Sequence, residues 1–343
     1  MEPVEGDRLR VTLGDGTEQV FDGVVVATGH QSVPRDPDGL ERYTGSYLHA
    51  HSYRVPEPFT GQSVLVIGPG NSGVDIAADV CILARKTILS ARSPVLIMPR
   101  MMFGVPNSRT LVALEKPWLP WSIRIWIRTT LTRMFHGRME QWGFRTPKTR
   151  THPISHPTLI SHMAWGRITA KPGIKSVEGR TVTFVDGTSE EVDAIIAATG
   201  YRTEFPYLAP ELSPAAAGHR LDLYNRIVHP SVPGLYFIGF FDASGGSNIR
   251  MMDDQSEYVA AIVAGEVKLP SRDDMLNAVS EDHDWAAKQF PDRPRYGLEL
   301  DPRRYRKRLA ADYARCGAPQ RPTVPLTERP PRPTHLEVAS GRA

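Results

Sequence analysis

The chain has 343 residues, of which 41% are hydrophobic and 23% charged, a composition typical of a globular protein long enough for two domains. The net charge of +3 is too small to indicate nucleic-acid binding, and the two distant cysteines, Cys81 and Cys316, exclude a C-x-x-C redox or zinc motif. The sequence contains no apolar run of membrane-spanning length, and the first residues lack the features of a signal peptide, so we expect a cytoplasmic protein.

Two segments of the chain repeat one pattern. The first begins with a strand at residues 9–12, passes through an Asp-Gly turn and ends at Ala27-Thr28-Gly29. The second has the same spacing and ends at Ala198-Thr199-Gly200. Each copy predicts a hairpin that leads into a buried strand, and small residues at the end of such a strand allow a ligand to approach closely.

The segment between the first repeat and Gly61 contains four prolines and predicts an extended linker. It also contains His49 and His51. Their chemistry alone favours surface or packing roles over metal binding.

A dinucleotide fingerprint occupies residues 64–78. A run of four apolar residues predicts a buried parallel strand, a G-x-G-x-x-G turn follows, and a helix begins after it. In this pattern Gly68 permits the tight turn, Gly70 lets backbone N–H groups approach a pyrophosphate, and Gly73 allows close packing of helix on strand. The helix N-terminus attracts the anion. We therefore predict a dinucleotide site and not an ordinary strand–helix turn.

The strand predicted at residues 86–90 indicates which dinucleotide binds. An NAD site places Asp or Glu near the end of this strand. In this sequence the strand is followed by Arg92 and Ser93, with no carboxylate. A guanidinium binds a 2′-phosphate bidentately, so the sequence favours NADP; the alternative is that Arg92 is a solvated loop residue.

Two further segments bear on surfaces and metals. Residues 118–142 interleave aromatic and basic side chains, which predicts an amphipathic helix. Such a helix either lies on a membrane surface or, as we favour, caps the cofactor cleft with its arginines in water. Prolines near His152 and His156 forbid the helical spacing that a zinc site needs, so these histidines and His162 are predicted to be loop residues that bind no metal.

The last third of the chain contains a buried strand that ends at Gly239 and a following helix that contains Gln255. The tail from Gln320 to His335 is rich in proline. This composition predicts a disordered or extended segment.

Together these motifs resemble the NADPH- and FAD-dependent flavin-containing monooxygenase family. The resemblance rests on Gly-Pro-Gly-Asn-Ser-Gly, Arg92-Ser93, Ala-Thr-Gly-Tyr ending at Tyr201, the Ile238-Gly239 strand, the Gln255 helix and Cys316-Gly317-Ala318-Pro319. The family's hinge motif, Phe-x-Gly-x3-His-x3-Tyr/Phe, is matched by Tyr43, Gly45, His49 and Tyr53. These matches cover nearly the whole chain.

The resemblance implies an α/β fold with two Rossmann-like domains, in which an NADP domain is inserted in an incomplete FAD domain. The implied boundaries are 1–29 and 201–319 for the FAD domain, 30–58 for the hinge, 59–200 for the NADP domain with a helical insert near 107–150, and 320–343 for the tail. The implied NADP-binding residues are Gly68, Gly70, Asn71, Ser72, Gly73, Arg92, Ser93, Thr199, Gly200 and Tyr201, and those for FAD are Thr28, Gly29, Gly239 and Gln255.

The implied reaction is oxygenation of a soft nitrogen or sulfur of a small molecule by O2. In this family NADPH reduces FAD, a flavin C4a-hydroperoxide forms, and bound NADP+ shields it from water. Related Baeyer–Villiger enzymes carry Trp at the position of Tyr53, which favours heteroatom oxygenation for this chain. The resemblance assigns no catalytic side chain, because the flavin carries the chemistry.

The family's FAD fingerprint has no match in this sequence. No G-x-G-x-x-G precedes residue 27, and the residues before it are too few for a βαβ unit. The chain thus resembles a family member truncated at its N-terminus, and we expect an exposed sheet edge or apolar face on the FAD side. We expect the missing FAD fingerprint to weaken FAD binding and oxygenase activity. The alternatives are a flavin-free NADP-binding protein or partner subunit and a Baeyer–Villiger monooxygenase; a second copy or an upstream-encoded FAD-binding fragment is the candidate partner.

Overall fold

The computed structural model describes residues 1–114, 119–148, 154–216, 220–243, 248–290 and 296–317. Four of the sequence-based predictions lie outside these residues. They concern Trp118, His152, the Ala318-Pro319 pair and the proline-rich tail at 320–343.

The helices and strands of the described residues are numbered in chain order. The α-helices are α1 (Asn71–Val80), α2 (Asn107–Leu114), α3 (Trp121–His136), α4 (Leu159–Ala164), α5 (Asn248–Val263), α6 (Arg272–Gln289) and α7 (Pro302–Arg315). Short 3-10 turns cover Ala50–Ser52, Glu57–Phe59, Met139–Trp142, Pro210–Leu212 and Tyr296–Leu298. The strands are β1 (Glu2–Val4), β2 (Arg8–Thr12), β3 (Glu18–Phe21), β4 (Val24–Val26), β5 (Val33–Pro34), β6 (Ser46–His49), β7 (Ser63–Ile67), β8 (Lys86–Ser90), β9 (Ile97–Met98), β10 (Met101–Met102), β11 (Val105–Pro106), β12 (Ile154–Ser155), β13 (Ile168–Lys171), β14 (Ile174–Glu178), β15 (Thr181–Phe184), β16 (Ser189–Glu191), β17 (Ala194–Ala197), β18 (Tyr201–Arg202), β19 (Ala215–Ala216), β20 (Arg220–Leu221), β21 (Leu235–Phe237), β22 (Asp242–Ala243) and β23 (Glu299–Leu300).

A five-stranded parallel sheet in the order β13-β8-β7-β17-β6 contains the fingerprint strand. Its neighbour β8 pairs with β7 up to the Ile67 and Ser90 pair, as the sequence predicts for the nucleotide unit. On the other side, β17 of the second repeat places Ala197 opposite Ile67. The carboxyl ends of β7, β8 and β17 therefore meet at one edge, where open α/β sheets bind their ligands.

Both faces of this sheet are covered, which explains why β7 is apolar without interruption from Val64 to Ile67. Val64 and Val66 lie in one core cluster with side chains of α1 and α4. Leu65 points to the opposite face and packs in a second cluster with Val182 and Phe184 of β15. Successive side chains of a strand point to opposite faces of the sheet, so one apolar run contributes to two hydrophobic cores.

The segment predicted as a hinge at 30–58 is more than a linker. Within it, β6 pairs in parallel with β17 and forms one edge of the five-stranded sheet. The prolines on both sides of β6 led to the prediction of an extended segment. The segment is extended, and pairing of β6 with β17 holds it against the sheet. The proposed domain boundaries themselves remain a prediction.

The internal repeat is confirmed. Each copy is a three-stranded antiparallel meander, β1-β2-β3 or β14-β15-β16, followed by a parallel strand, β4 or β17. Both strands lead to a glycine with positive φ, 76° at Gly29 and 84° at Gly200. Glycine is favoured at both places because other residues rarely adopt this conformation.

The two copies differ in how their last strand is covered. Strand β17 is paired on both sides, whereas among the described residues β4 pairs only with β21. Val25 in β4 is 45% exposed, while the equivalent Ile196 is fully buried in the cluster that includes α1. The exposed apolar face expected on the FAD side is therefore present.

The C-terminal helices α5, α6 and α7 share a separate core that contains Tyr258 and Tyr313. This core joins them to the segment before β21 through Tyr224. No described helix combines the length and the apolar character needed to cross a bilayer.

Candidate functional site

The glycine turn between β7 and α1 is closed by backbone contacts that exclude side chains. A Cβ atom on Gly73 would lie 1.8 Å from the carbonyl oxygen of Gly68. A Cβ atom on Gly68, whose φ is +105°, would lie 2.6 Å from the carbonyl oxygen of Ala198. The end of the second repeat therefore packs directly against the fingerprint, and this contact explains why that strand ends in small residues.

Gly70, in contrast, borders open space. A Cβ atom added there would meet no atom within 4 Å. Gly70 is the N-cap of α1 and provides no side-chain cap. The backbone N–H groups of Asn71 and Ser72 in the first turn have no acceptor within the helix. Both residues are exposed, so these N–H groups can donate to a ligand. These features fit the pyrophosphate of a dinucleotide.

Arg92 and Ser93 lie exposed just beyond β8, at the same edge of the sheet as the glycine turn. Gly173 leaves room for the arginine, since a Cβ atom there would lie 3.3 Å from Arg92 Cγ. The Arg145 guanidinium donates a hydrogen bond to the Arg92 carbonyl. A second cation therefore lies at this corner, and sequence spacing did not reveal it because Arg145 is 53 residues away.

The residues that follow β17 lie at this edge as well. The Thr199 hydroxyl donates to the carbonyl of Arg35, and the Arg35 N–H donates to the Gly200 carbonyl at 3.0 Å. The ring of Tyr201 meets the ring of His49 edge to face at 5.4 Å. The predicted NADP residues of the second repeat are thus brought beside the glycine turn and held there by the hinge segment.

The hinge motif contacts the nucleotide unit at several points. The Tyr43 hydroxyl donates to the carbonyl of Val192 at 3.1 Å, and its ring covers Gly45, where a Cβ atom would collide with it. The Tyr53 hydroxyl donates to Asp79 of α1 at 2.7 Å. These contacts fasten the edge strand β6 to α1 and to the loop before β17.

His49 is the buried histidine of the motif. Its side chain is 7% exposed, and its Nδ1 accepts a hydrogen bond from the His51 N–H at 3.0 Å. Burial lowers the pKa of His49, against the opposing effect of the Gly200 carbonyl. The ring is therefore neutral near pH 7 and carries its proton on Nε2, since Nδ1 is an acceptor.

The four residues assigned to FAD are brought together by the pairing of β4 with β21. Thr28 and Gly29 follow β4, and Gly239 follows β21. The Gly239 N–H donates to Gln255 Oε1 at 2.9 Å, and the Gln255 amide donates to the Arg226 carbonyl at 3.3 Å. Gln255 is fully buried, so its side chain holds two chain segments together.

Among the described residues, the FAD side lacks a counterpart of the glycine cradle. Within the described residues no second G-x-G-x-x-G turn joins a strand beside β4 to a helix. Val25 is exposed where its equivalent in the second repeat is covered by the α1 cluster. The residues present therefore do not fit the phosphates of FAD by themselves.

His156 and His162 have structural positions beside α1. His156 Nδ1 accepts hydrogen bonds from the Thr158 and Leu159 N–H groups at 3.2 and 2.9 Å, which caps α4. Its Nε2 lies 3.3 Å from Asp75 Oδ1 of α1. His162 lies within α4, so its prediction as a loop residue is wrong. The prolines marked the loop, but α4 begins soon after them.

The fold is expected to lose stability as the pH falls below neutral. At pH values between about 6.5, the ordinary pKa of histidine, and the lowered pKa values of the folded protein, the unfolded chain binds more protons than the folded chain. The free energy of unfolding therefore decreases as the pH decreases. Urea unfolding from about pH 7.5 to 5.5 should show a slope of at least about 1.4 kcal/mol per pH unit below 6.5, equivalent to one proton. A flat profile would contradict the buried, neutral state of these rings. The histidines whose pKa burial lowers are His49, His136, His156, His162, His229 and His283.

Helix α3 does not place all its arginines in water as the sequence led us to expect. Arg128 is 9% exposed and Thr132 is 1% exposed. On the outer side, Trp126 is 66% exposed and Met134 is 68% exposed. Leu131 packs against the main core. The segment is helical, as predicted, but much of its apolar surface faces outward.

Comparisons with known proteins agree with this architecture. A family model described as flavin-binding monooxygenase-like matches residues 6–312. The chain is 32% identical over 299 residues to a 4-hydroxybenzoate brominase (decarboxylating) of Marinomonas mediterranea, covering 81% of this chain and 57% of that protein. It is 31% identical over 304 residues to flavin-containing monooxygenase 5 of Oryctolagus cuniculus, covering 84% and 56%. The structure of S-allyl-L-cysteine S-oxygenase from Allium sativum matches with a TM-score of 0.62 at 24% identity, covering 93% of this chain and 60% of that one. The chain thus spans little more than half the length of these proteins.

Proposed function

The chain belongs to the flavin-binding monooxygenase-like family, and we therefore propose that it provides the NADP-binding part of an NADPH- and FAD-dependent monooxygenase. The proposed substrate is a small molecule whose soft nitrogen or sulfur takes one atom of O2. The observation that carries this proposal is the glycine turn, in which Gly70 borders open space beside the exposed Arg92.

Each part of the site has a distinct task in this proposal. The uncapped N–H groups of the first turn of α1 bind the pyrophosphate. Arg92 and Ser93 bind the 2′-phosphate, with the Arg145 guanidinium close by. The hinge motif and Thr199 hold the opposite wall of the site in place. When bound, NADPH supplies the hydride.

The flavin side requires a second contribution. The ends of β4 and β21, with Gly239 and Gln255, form one wall of the proposed flavin site. The exposed Val25 supports a position there for a further strand and helix that bring a phosphate cradle. Either an FAD-binding fragment encoded upstream or a second copy of the chain is the proposed source.

Arg92→Ala is expected to weaken NADPH binding far more than NADH binding. Loss of charge-assisted hydrogen bonds to a phosphate costs about 1.5–3 kcal/mol, or about 10- to 100-fold in affinity. Fluorescence titration with both nucleotides measures the ratio. Arg8→Ala, at an exposed arginine of β2, is the control and should change neither affinity. Equal loss for both nucleotides would rule out the 2′-phosphate assignment.

Flavin content separates the proposal from its main alternative. Purified protein that is yellow, with absorbance near about 450 nm, supports the monooxygenase. The chain alone is expected to be colourless under both hypotheses, so protein that binds NADPH but stays colourless after co-expression with an FAD-binding fragment supports a flavin-free NADP-binding protein. A yellow preparation should oxygenate a sulfide; conversion of a ketone to an ester instead would identify Baeyer–Villiger activity.

A further inference from the structure

A groove runs between α6 and α7 and shares no residue with the nucleotide site. Near the end of α7, Arg315 donates to the carbonyl of Lys268, just before α6, at 3.1 Å. Near the start of α7, the Arg304 guanidinium lies 5.4 Å from the ring centre of Trp285, close to the end of α6. The two helices are therefore antiparallel. The groove between them has a volume of about 720 Å³, within the range of ligand-binding clefts.

The two ends of this α6–α7 groove differ in character. One end is walled by the ring of Trp285, against which Arg304 lies. Seven residues along each helix, at the other end, the lining side chains are the small Ala278 and Ala311. Small side chains on two facing helices leave room between them. The groove thus fits an extended occupant with apolar groups along its length.

The α7 side of the groove is rich in hydrogen-bond donors. Asp282 lies 3.5 Å from the Arg304 guanidinium and also pairs with Arg308, so one carboxylate serves two cations. Asp301 already accepts from backbone N–H groups in the first turn of α7. Lys307 is exposed and also lines the groove. An occupant that brings further acceptors, such as backbone carbonyls, complements these donors.

The chain leaves α7 at the alanine end of the groove. Gly317 follows the C-cap residue Cys316, has a φ of 67° and donates to the Ala314 carbonyl at 3.1 Å. A glycine in this left-handed conformation ends the helix and turns the chain out of the helical path. The Cys316 sulfur accepts from the Lys268 N–H at 3.3 Å, which holds this turn beside the start of α6. Residue 318 therefore begins next to the groove.

The sequence that follows has a period of three. Pro319, Pro322 and Pro325 are separated by two residues each, and Arg321 is the one charged residue from 319 to 325. A polyproline II helix has three residues per turn, so these three prolines lie on one face of such a helix. Its six steps span about 19 Å at about 3.1 Å each. The ten residues of α7 along the groove span about 15 Å, so the segment is long enough to follow it.

We propose that residues 319–325 fold back into the α6–α7 groove as a polyproline II segment. The proline rings pack on Trp285 and between the two alanines, as in other aromatic-lined grooves that bind such segments. Polyproline II leaves its carbonyls without internal partners, and these accept from Arg304 and Lys307. Arg321 pairs with Glu281, which is exposed at the edge of the groove.

Attachment at the end of the groove favours this occupant over a separate chain. A segment tethered a few residues from its site has an effective concentration in the millimolar range, so weak contacts suffice. The proposal does not depend on monooxygenase activity, because neither the groove nor the segment belongs to the nucleotide site. It assigns a role to a segment that the proposed function does not use.

Fluorine NMR of the full chain labelled with 5-fluorotryptophan tests the proposal at a single residue. The signal of Trp285 is assigned with Trp285→Phe. Pro322→Gly combined with Pro325→Gly should move this signal by more than its line width, because the ring loses its proline contacts. The signal of Trp165, which is 66% exposed and lies outside the groove, should stay in place.

The matched control is Pro330→Gly combined with Pro331→Gly, which removes two prolines that break the period of three. It should leave the Trp285 signal unchanged, and thermal melting should show both variants folded. An unchanged Trp285 signal in the first variant, or an equal shift in the control, would overturn the proposal. If the first variant has no effect but a synthetic peptide of residues 318–326 shifts Trp285 in the unmodified chain, the groove instead binds a proline-rich segment of another chain.

Discussion

Gly73→Ala is expected to destabilise the nucleotide unit, whereas Gly70→Ala is expected to leave the fold nearly intact and to weaken NADPH binding. The reason lies in what each new methyl group would meet. At position 73 it would lie 1.8 Å from the Gly68 carbonyl oxygen, so the turn or α1 has to shift. At position 70 it would meet no protein atom within 4 Å and would occupy the space proposed for the pyrophosphate.

The two variants should therefore separate stability from binding. We expect Gly73→Ala to lower the free energy of unfolding by about 3 kcal/mol, the upper part of the usual range for overpacking. Gly70→Ala should lower it by about 1 kcal/mol, because alanine is a much poorer N-cap than glycine. Its NADPH affinity should fall more than about tenfold, because the methyl group displaces the phosphates. Denaturant unfolding and nucleotide titration, run on both variants, measure these effects. Wild-type NADPH affinity in Gly70→Ala would mean that the dinucleotide does not bind at this turn.

Asp312→Ala is expected to be the most damaging single change in the C-terminal half. The carboxylate accepts hydrogen bonds from the hydroxyls of Tyr224 and Tyr258, at 2.8 and 2.6 Å, and from the Asn225 amide at 2.8 Å. It is 7% exposed. Burial raises the pKa of both tyrosines, and the bond to Asp312 raises it further, so both hydroxyls remain protonated donors.

Removing the acceptor leaves the Tyr224 and Tyr258 hydroxyls without their acceptor and leaves the Asn225 amide only its bond to the Tyr258 hydroxyl at 3.3 Å. Each buried donor that is fully unsatisfied costs about 1–3 kcal/mol. We expect a total loss of about 4 kcal/mol, measured by urea unfolding. Tyr258→Phe, which removes one donor, should cost only about 1 kcal/mol. Asp284→Ala, at an exposed position of α6, is the control and should stay within about 0.5 kcal/mol of the unmodified chain. An Asp312→Ala loss no larger than that of Tyr258→Phe would contradict the shared network.

This network also bears on the proposed flavin wall. Asn225 and Arg226 both have left-handed backbone, with φ of 50° and 56°. Their turn is held by Asp312, and the Arg226 carbonyl in turn accepts from Gln255, which binds the Gly239 N–H. A chain of hydrogen bonds thus runs from α7 to the end of β21.

The features that could be predicted from sequence are those set by local backbone chemistry. The fingerprint strand and α1 followed from an apolar run and three glycines, and the structure shows the contacts that require Gly68 and Gly73. The repeat followed from matched spacing, and both copies fold as a meander and a strand. The exposed face of β4 followed from the length of a βαβ unit.

The features that were missed depend on contacts between distant residues. The pairing of β6 with β17 joins segments that are far apart in sequence, and no local signal marks it. The amphipathic pattern predicted α3, but a pattern of aromatic and basic residues does not say which of them faces the core, so the burial of Arg128 was unforeseen. Tyr224 and Asp312 are 88 residues apart, and the position of Arg145 beside Arg92 is equally non-local.

The central claim is that residues 68–73 and Arg92 form an NADP site, and calorimetric titration of the unmodified chain with NADPH and NADH tests it most directly. The geometry predicts that NADPH binds, and that it binds at least about tenfold more tightly than NADH because the guanidinium pairs with the 2′-phosphate. Absence of binding for both nucleotides, or equal affinity for the two, would contradict it.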